Sequence, residues 1–181
     1  MNFYYTPIAI LAFIISFILI AIIKTIRIVS KQNTNQEVNM RYEITQGVFI
    51  IYIIVVIAYT LTPAPFGERS LNLIPLRDNI RMIKYLGLFS YQFKIIVWNV
   101  FLFIPFGLIG SLVLKQKNNS CKRIILYGLL FSTGIEIMQY IIGKGRASDI
   151  DDVIFNFVGN LVGYLCFIFI IKVVKRFEWK I

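Results

Sequence analysis

The stretch IEIMQYIIGKGRASDIDDVIFNFVGNLVGY, residues 135–164, decides how the chain must be read. It joins two apolar runs through a short polar turn. Glu136 and Gln139 lie inside the first run, Asp149, Asp151 and Asp152 at the turn, and Asn156 and Asn160 inside the second. Ionisable groups at membrane depth are costly, and by default they mark sites.

Working outward, apolar residues form blocks rather than alternating with polar ones. The 181 residues are 58% hydrophobic, and the mean hydropathy is +0.75. A helix crosses a bilayer with about 20 apolar residues, range ~17–25. Five blocks fit: about Pro7–Ile23, Thr45–Thr62, Ile95–Leu114, Ile124–Ile142 and Val153–Ile171. Backbone groups in lipid must be satisfied internally, and the runs are too long and unbroken for barrel strands. The expected fold is therefore all-α, an integral membrane bundle of about five transmembrane helices. Residues 1–44 read as an N-terminal anchor and polar connector, 45–171 as the membrane domain and 172–181 as a basic tail. The tail ahead of the first run carries no Lys or Arg, unlike a signal peptide, so the run is expected to stay as an anchor. Residues 24–44 read as a polar connector, in which Gln32–Gln36 looks like plain solvated loop tolerant of change.

Sidedness follows from Lys and Arg. Counted over alternate segments, twelve fall on the side of 24–44, 115–123 and 172–181, and seven on the side of the N-terminal tail, 63–94 and 143–152. The expectation is a multi-pass protein of the cell membrane, N-terminus outside and C-terminus cytoplasmic, with both polar loops facing outward. The net charge of +10 is explained by this bias and by attraction to anionic lipid headgroups. No polar segment is large enough for a basic nucleic-acid-binding domain. Cys121 and Cys166 match no zinc spacing and are not placed for a disulfide. With no histidine, His-based triads and His-ligated metals are excluded within this chain.

Several residues stand out along the chain. The second run ends at Thr62-Pro63-Ala64-Pro65, where prolines stop the helix. In the long connector, Leu71–Leu76 is apolar for an exposed loop and should pack on the membrane or the bundle. Arg77 either pairs with Asp78 or turns its planar fork toward an anion or an acidic partner in the final hairpin. In the third run, Pro105, Gly107 and Gly110 read as a kink and a close-packing face, and Asn99 as a donor into a polar pocket. Glu136 and Gln139, at i and i+3, share a helix face. A lone Glu in hydrocarbon is neutralised or paired, here with Arg146 or Arg77, or else it is a site group. Ser148 and Asp151 have the spacing of a capping box, which explains one or two of the three turn carboxylates but not all of them. Asp152, Asn156, Gly159 and Gly163, at offsets 0, 4, 7 and 11, form one stripe. Its glycines are a small-residue packing face, and Asp152 and Asn156 should meet Glu136 and Gln139 across the hairpin.

The ordered set Asn72-Leu-Ile-Pro75, Asn99 with Phe103-Ile-Pro-Phe-Gly107, Glu136-Ile-Met-Gln139, and Arg146 with Asp149-Ile-Asp-Asp152 and Asn156-Phe-Val-Gly159 resembles the VanZ-like family, over roughly residues 45–171. The resemblance implies a small multi-pass bacterial membrane protein. The family's namesake accompanies glycopeptide-resistance gene clusters, is associated with resistance to the lipoglycopeptide teicoplanin, and acts apart from the altered peptidoglycan-precursor route. Carried to this chain, the motif positions are Asn72, Pro75, Arg77, Asn99, Glu136, Gln139, Arg146, Asp149, Asp152 and Asn156. The resemblance supplies no reaction.

Two functional readings result. The favoured one is a non-enzymatic module that needs no cofactor. It would bind membrane lipids, a lipid-linked cell-wall intermediate or a lipoglycopeptide at the outer surface, through Asn72, Arg77, Asn99, Glu136, Gln139, Arg146, Asp149, Asp152 and Asn156. The alternative is a metal-assisted enzyme acting on a lipid phosphate or glycolipid. There Glu136, Asp149 and Asp152 would hold Mg²⁺, and Glu136 would act as general acid or base. The sidedness is testable: in a Cys121→Ser, Cys166→Ser background, a cysteine near Ser148, such as Gly145→Cys, should react with a membrane-impermeant thiol reagent on intact cells. Labelling only after lysis would place this turn in the cytoplasm.

Overall fold

A chain whose apolar blocks are this long satisfies its backbone by winding each into a helix. In the computed structural model, residues 6–33, 39–61, 70–76, 81, 85, 91–116, 120–143 and 147–178 are described. Among them are five long helices: α1 (Thr6–Asn33), α2 (Met40–Leu61), α3 (Tyr91–Gln116), α4 (Arg123–Ile142) and α5 (Ile150–Glu178). Two short strands, β1 (Ser70–Asn72) and β2 (Ala147–Asp149), complete the order. The architecture is all-α, and α2 to α5 each contain a segment long and apolar enough to cross a membrane. Large side chains such as Ile23, Ile26, Leu130, Ile141 and Phe169 are exposed on the helices, which suits a lipid environment and not water.

The core is aromatic. Phe103 and Phe106 of α3 are buried with Val56, Ile124 and Ile135. Phe131 stacks on Phe106 at 5.4 Å, and Phe49 meets the same ring edge-on at 5.3 Å. Pro105 lies inside α3, so the Phe101 carbonyl loses its usual amide donor. Beside this gap the Tyr52 hydroxyl donates to the Leu102 carbonyl at 2.6 Å and accepts from the Phe106 amide. A side chain from α2 thus stitches the helix at its weak rung.

The tightest packing is α3 on α5. A Cβ added at Gly159 would overlap the Val100 carbonyl, one at Gly163 the Ile104 carbonyl, and one at Gly107 the Asn160 carbonyl. The two backbones touch, as small residues allow in membrane helices, and each contact is a Cα–H···O approach.

Two expectations change. The helices reach into the polar connector 24–44: α1 runs on to Asn33, so Gln32 and Asn33 of the expected loop are helical, and α2 begins at Met40, while residues 34–36 lie outside the described residues. The reason is Glu43, only 2% exposed, which accepts from Lys24 at 2.7 Å and lies 3.5 Å from Arg27. Charged residues that pair between helices extend them instead of ending them. The second change is the strand pair. β1 and β2 run parallel, with Asn72 opposite Asp149, so part of the 63–94 connector is pinned to the final hairpin. Of the strongly apolar stretch Leu71–Leu76, Leu71, Leu73 and Ile74 stay exposed.

The glycine contacts give opposite signs for the same substitution. Gly159→Ala should destabilise the protein by about 1–3 kcal/mol through overpacking. Gly134→Ala, with open space around the new Cβ, should be neutral or stabilising by up to ~1 kcal/mol. Thermal unfolding in detergent reads both. Equal midpoints for the two variants would mean that α3 and α5 do not touch at Gly159.

Candidate functional site

The polar residues gather where α4 hands over to α5. Gly143 ends α4 in the left-handed region at φ 62°, its amide donating to the Gln139 carbonyl at 3.0 Å. This conformation suits glycine. β2 follows, and Asp149 sits immediately before α5. Its Oδ1 accepts the Asp151 amide at 2.9 Å, the bond of a helix N-cap. Asp149, not the Ser148–Asp151 box, therefore caps the helix.

Asp151 is thereby released for another task. It is fully buried, and its Oδ1 accepts the Leu76 amide at 2.6 Å. Leu76 has φ 61°, a conformation that costs a side-chain-bearing residue about 1–2 kcal/mol. The charge-assisted bond offsets this strain. Isolated two-stranded pairing is marginal in itself. Here it is reinforced by Asn72, whose Nδ2 donates to both oxygens of Asp149 at 3.3 Å and whose Oδ1 accepts from the Ile74 amide at 3.2 Å.

Glu136 faces this knot from α4. It is 6% exposed, its Oε2 accepts the Asp149 amide at 2.9 Å, and the Ser148 side chain also hydrogen-bonds it. The carboxylates of Asp152 and Asp149 lie within electrostatic reach of it. Asp152 accepts from Asn99 Nδ2 at 2.5 Å, which ties α5 to α3. Asn72, Asn99, Glu136, Asp149 and Asp152 thus come together from β1, α3, α4, β2 and α5.

Asn156 and Gln139 do not join Asp152 and Glu136 in one hydrogen-bonded patch. Asn156 donates to Ser132 Oγ at 2.9 Å, one helical turn deeper on α4. Gln139 donates to the Thr60 carbonyl at 2.9 Å, at the end of α2. The reason is the packing of α5. Gly159 and Gly163 press on α3, so Asp152 on that face meets Asn99, while Asn156, turned toward α4, meets Ser132. Both amide oxygens, Gln139 Oε1 and Asn156 Oδ1, are buried and have no hydrogen-bond partner among the described residues. Arg77 and Arg146 lie outside the described residues, as do Asp78 and Lys144. In sequence they adjoin the cluster: Arg77 follows Leu76 and Arg146 precedes Ala147.

Two participants, Ser132 and the Thr60 carbonyl, lay outside the sequence reading, and a third, Asn160, was singled out there without a partner. Ser132 is one turn before Glu136 and four residues after Gly128, a spacing that was available as a signal. Asn160, fully buried, donates to the Ile124 and Ile125 carbonyls at 3.1 and 3.2 Å, over Gly128, where a Cβ would strike its amide. The Thr60 carbonyl gives no signal in sequence. As for the Mg²⁺ alternative, among the described residues no three His, Cys, Asp or Glu side chains are grouped to hold a metal ion. Glu136 accepts from the Asp149 amide and Ser148, Asp149 from the Asp151 amide and Asn72, and Asp152 from Asn99.

A family model described as VanZ/LLP1 matches residues 49–172. Protein VanZ of Enterococcus faecium is 30% identical over 128 residues, 66% of this chain and 71% of that protein. No solved structure matches.

The knot predicts a local effect. Asp151→Ala should leave the helices folded but release 70–76, because a hydrogen bond to a charged group contributes about 1.5–3 kcal/mol. Amide hydrogen exchange in 70–76 should accelerate by roughly ten- to a hundredfold, while α3 and α5 keep their protection. Uniform acceleration everywhere would make Asp151 a core residue of the whole fold.

Proposed function

The chain belongs to the VanZ/LLP1 family, and from that premise we propose that it contributes to glycopeptide resistance or envelope maintenance by binding an amphipathic ligand at the outer face of the membrane. The ligand is a lipid-linked cell-wall intermediate or a lipoglycopeptide such as teicoplanin. The carrying observation is the convergence of Asn72, Asn99, Glu136, Asp149 and Asp152 from five separate elements at one end of the bundle. Structure alone needs no such concentration of carboxylates and amides, since apolar packing and a single cap would close the hairpin.

The surroundings suit a ligand with a polar head and an apolar tail. Leu71, Leu73 and Ile74 present exposed apolar surface beside the polar groups, where an acyl or prenyl chain can lie. Gln139 Oε1, one turn beyond Glu136, is a buried acceptor with no hydrogen-bond partner among the described residues, suited to a hydroxyl or amide of the head. Arg77 and Arg146 take the phosphate or carboxylate of the same head, for which a guanidinium fork is suited. Glu136, Asp149 and Asp152 hold the frame and set its charge. Bound in this way, the protein changes how an antibiotic reaches its target without making a new precursor.

The test is mass spectrometry of the purified full chain mixed with bacterial envelope lipids, with teicoplanin as a separate arm, each with and without Mg²⁺. The expected result is one species retained at unchanged mass by the native chain, and retained at least about tenfold less by Glu136→Gln and Asp152→Asn. A species whose mass changes only with Mg²⁺ and the intact carboxylates would make the protein an enzyme. Equal retention by the native chain and both variants would end the reading.

A further inference from the structure

At the other end of α2 lies a second polar feature, unconnected with the first. Glu43 and Thr60 are separated by about 26 Å along the helix at 1.5 Å per residue, so this feature lies near the opposite membrane surface. Apart from Ile51, its residues also precede the stretch matched by the family, residues 49–172.

Here α1 packs against α2, but not completely. A groove of about 250 Å³ runs between them, with Ile20, Gly47 and Ile51 toward the membrane interior and Lys24, Ile28 and Glu43 toward its surface. Its walls are almost wholly apolar except where Lys24 and Glu43 enter. Gly47 keeps it open: a Cβ there would meet only Ile20 Cγ2, at 3.9 Å. Among the described residues the charged end carries more cations than carboxylates. Lys24 donates to Glu43 at 2.7 Å and to Gln46 at 2.5 Å. Arg27 also approaches Glu43, through Nε at 3.5 Å, and is half exposed, at 48%. Two cations therefore share one carboxylate, Lys24 lining the groove and Arg27 beside it.

From this arrangement we infer that the groove between α1 and α2 is a binding site for an anionic phospholipid, with one acyl chain in the groove and its phosphate on Arg27 and Lys24. The chemistry matches on both sides. The apolar length takes a hydrocarbon chain, which a free anion does not supply. The excess positive charge takes a phosphodiester carrying a net negative charge, which a zwitterionic headgroup cancels. A guanidinium held by one weak contact through Nε still offers donors for bidentate phosphate binding. Buried Glu43 orients both cations, so it is a positioning residue and not a ligand. The site would tie α1, which makes its main contact with α2, to the rest of the bundle through a lipid.

The experiment uses the full chain in detergent, exchanged against phosphatidylglycerol or phosphatidylethanolamine of the same acyl composition, with bound lipid read by native mass spectrometry. The native chain should retain phosphatidylglycerol in preference. Arg27→Gln should lower that retention roughly tenfold. Gly47→Leu leaves every charge in place, fills the groove with a better helix former, and should lower it as much. Ile44→Trp, at another groove residue, exposed on the surface, is the second filling variant should Gly47→Leu fail to fold. Loss in Arg27→Gln with full retention in both filling variants would reduce the site to surface charge and overturn the inference. Equal retention of the two lipids would overturn it as well. So would a dimer dissociated by the filling variants, since a second copy would then occupy the groove. None of these outcomes depends on the Asn72–Asp152 cluster, whose ligand is assayed with Glu136→Gln and Asp152→Asn.

Discussion

Contact between two backbones governs this molecule. At Gly107, Gly159 and Gly163 the helices α3 and α5 approach until carbonyl oxygens fill the places that side chains would occupy. In lipid, apolar side chains gain little by leaving the solvent, so close packing and weak Cα–H···O contacts must carry helix association. The same contact sets the register. With Gly159 against Val100, Asp152, two turns nearer the start of α5, comes within hydrogen-bonding reach of the Asn99 side chain. The polar site is thus positioned by glycines deep in the membrane.

That register explains why so many polar groups are tolerated near one membrane surface. Each carboxylate is given backbone or amide donors: Asp149 caps α5 and holds Asn72, Asp151 holds the strained Leu76, and Glu136 accepts from β2. Removing any one donor would leave a desolvated charge, so the cluster is satisfied as a unit. It also fastens the 70–76 segment, and with it the residue before Arg77, to the hairpin. This member of a family linked to glycopeptide resistance thus carries a hydrogen-bonded polar frame at one bundle end and exposed apolar chains beside it.

The first helix follows a different logic. α1 lies outside the matched stretch and relies on α2, through a buried ion pair and a groove that side chains do not fill. A buried pair is weak evidence for stability, but breaking it leaves an uncompensated charge. Lys24 and Glu43 therefore fix the alignment of α1 more than they strengthen it.

How much of this was legible in the sequence depends on the range of the interaction. The apolar blocks alone dictated an all-helical membrane protein, because chain length and hydropathy fix how many residues can lie in lipid with their amides satisfied. The ordered motif was equally local, and it singled out Asn72, Asn99, Glu136, Asp149 and Asp152, which the structure brings together. The glycine stripe on α5 was visible by its spacing. What the sequence could not say was which helix the stripe would meet. Periodicity defines a face but not every partner: Asp152 lies within electrostatic reach of Glu136, as the stripe suggested, and also accepts a hydrogen bond from Asn99 of α3, which it did not. The parallel pairing of Ser70–Asn72 with Ala147–Asp149 was hidden for the same reason: three-residue strands far apart in the chain have no pattern of their own. Lys24 entered the sequence reading only through the sidedness count and Glu43 not at all, because a charge shows its partner only when another helix brings it there. Composition and spacing, which act along the chain, determined the class, the spans and the candidate residues. The tertiary structure alone decided the pairings, because each depends on the register at which two helices come into contact.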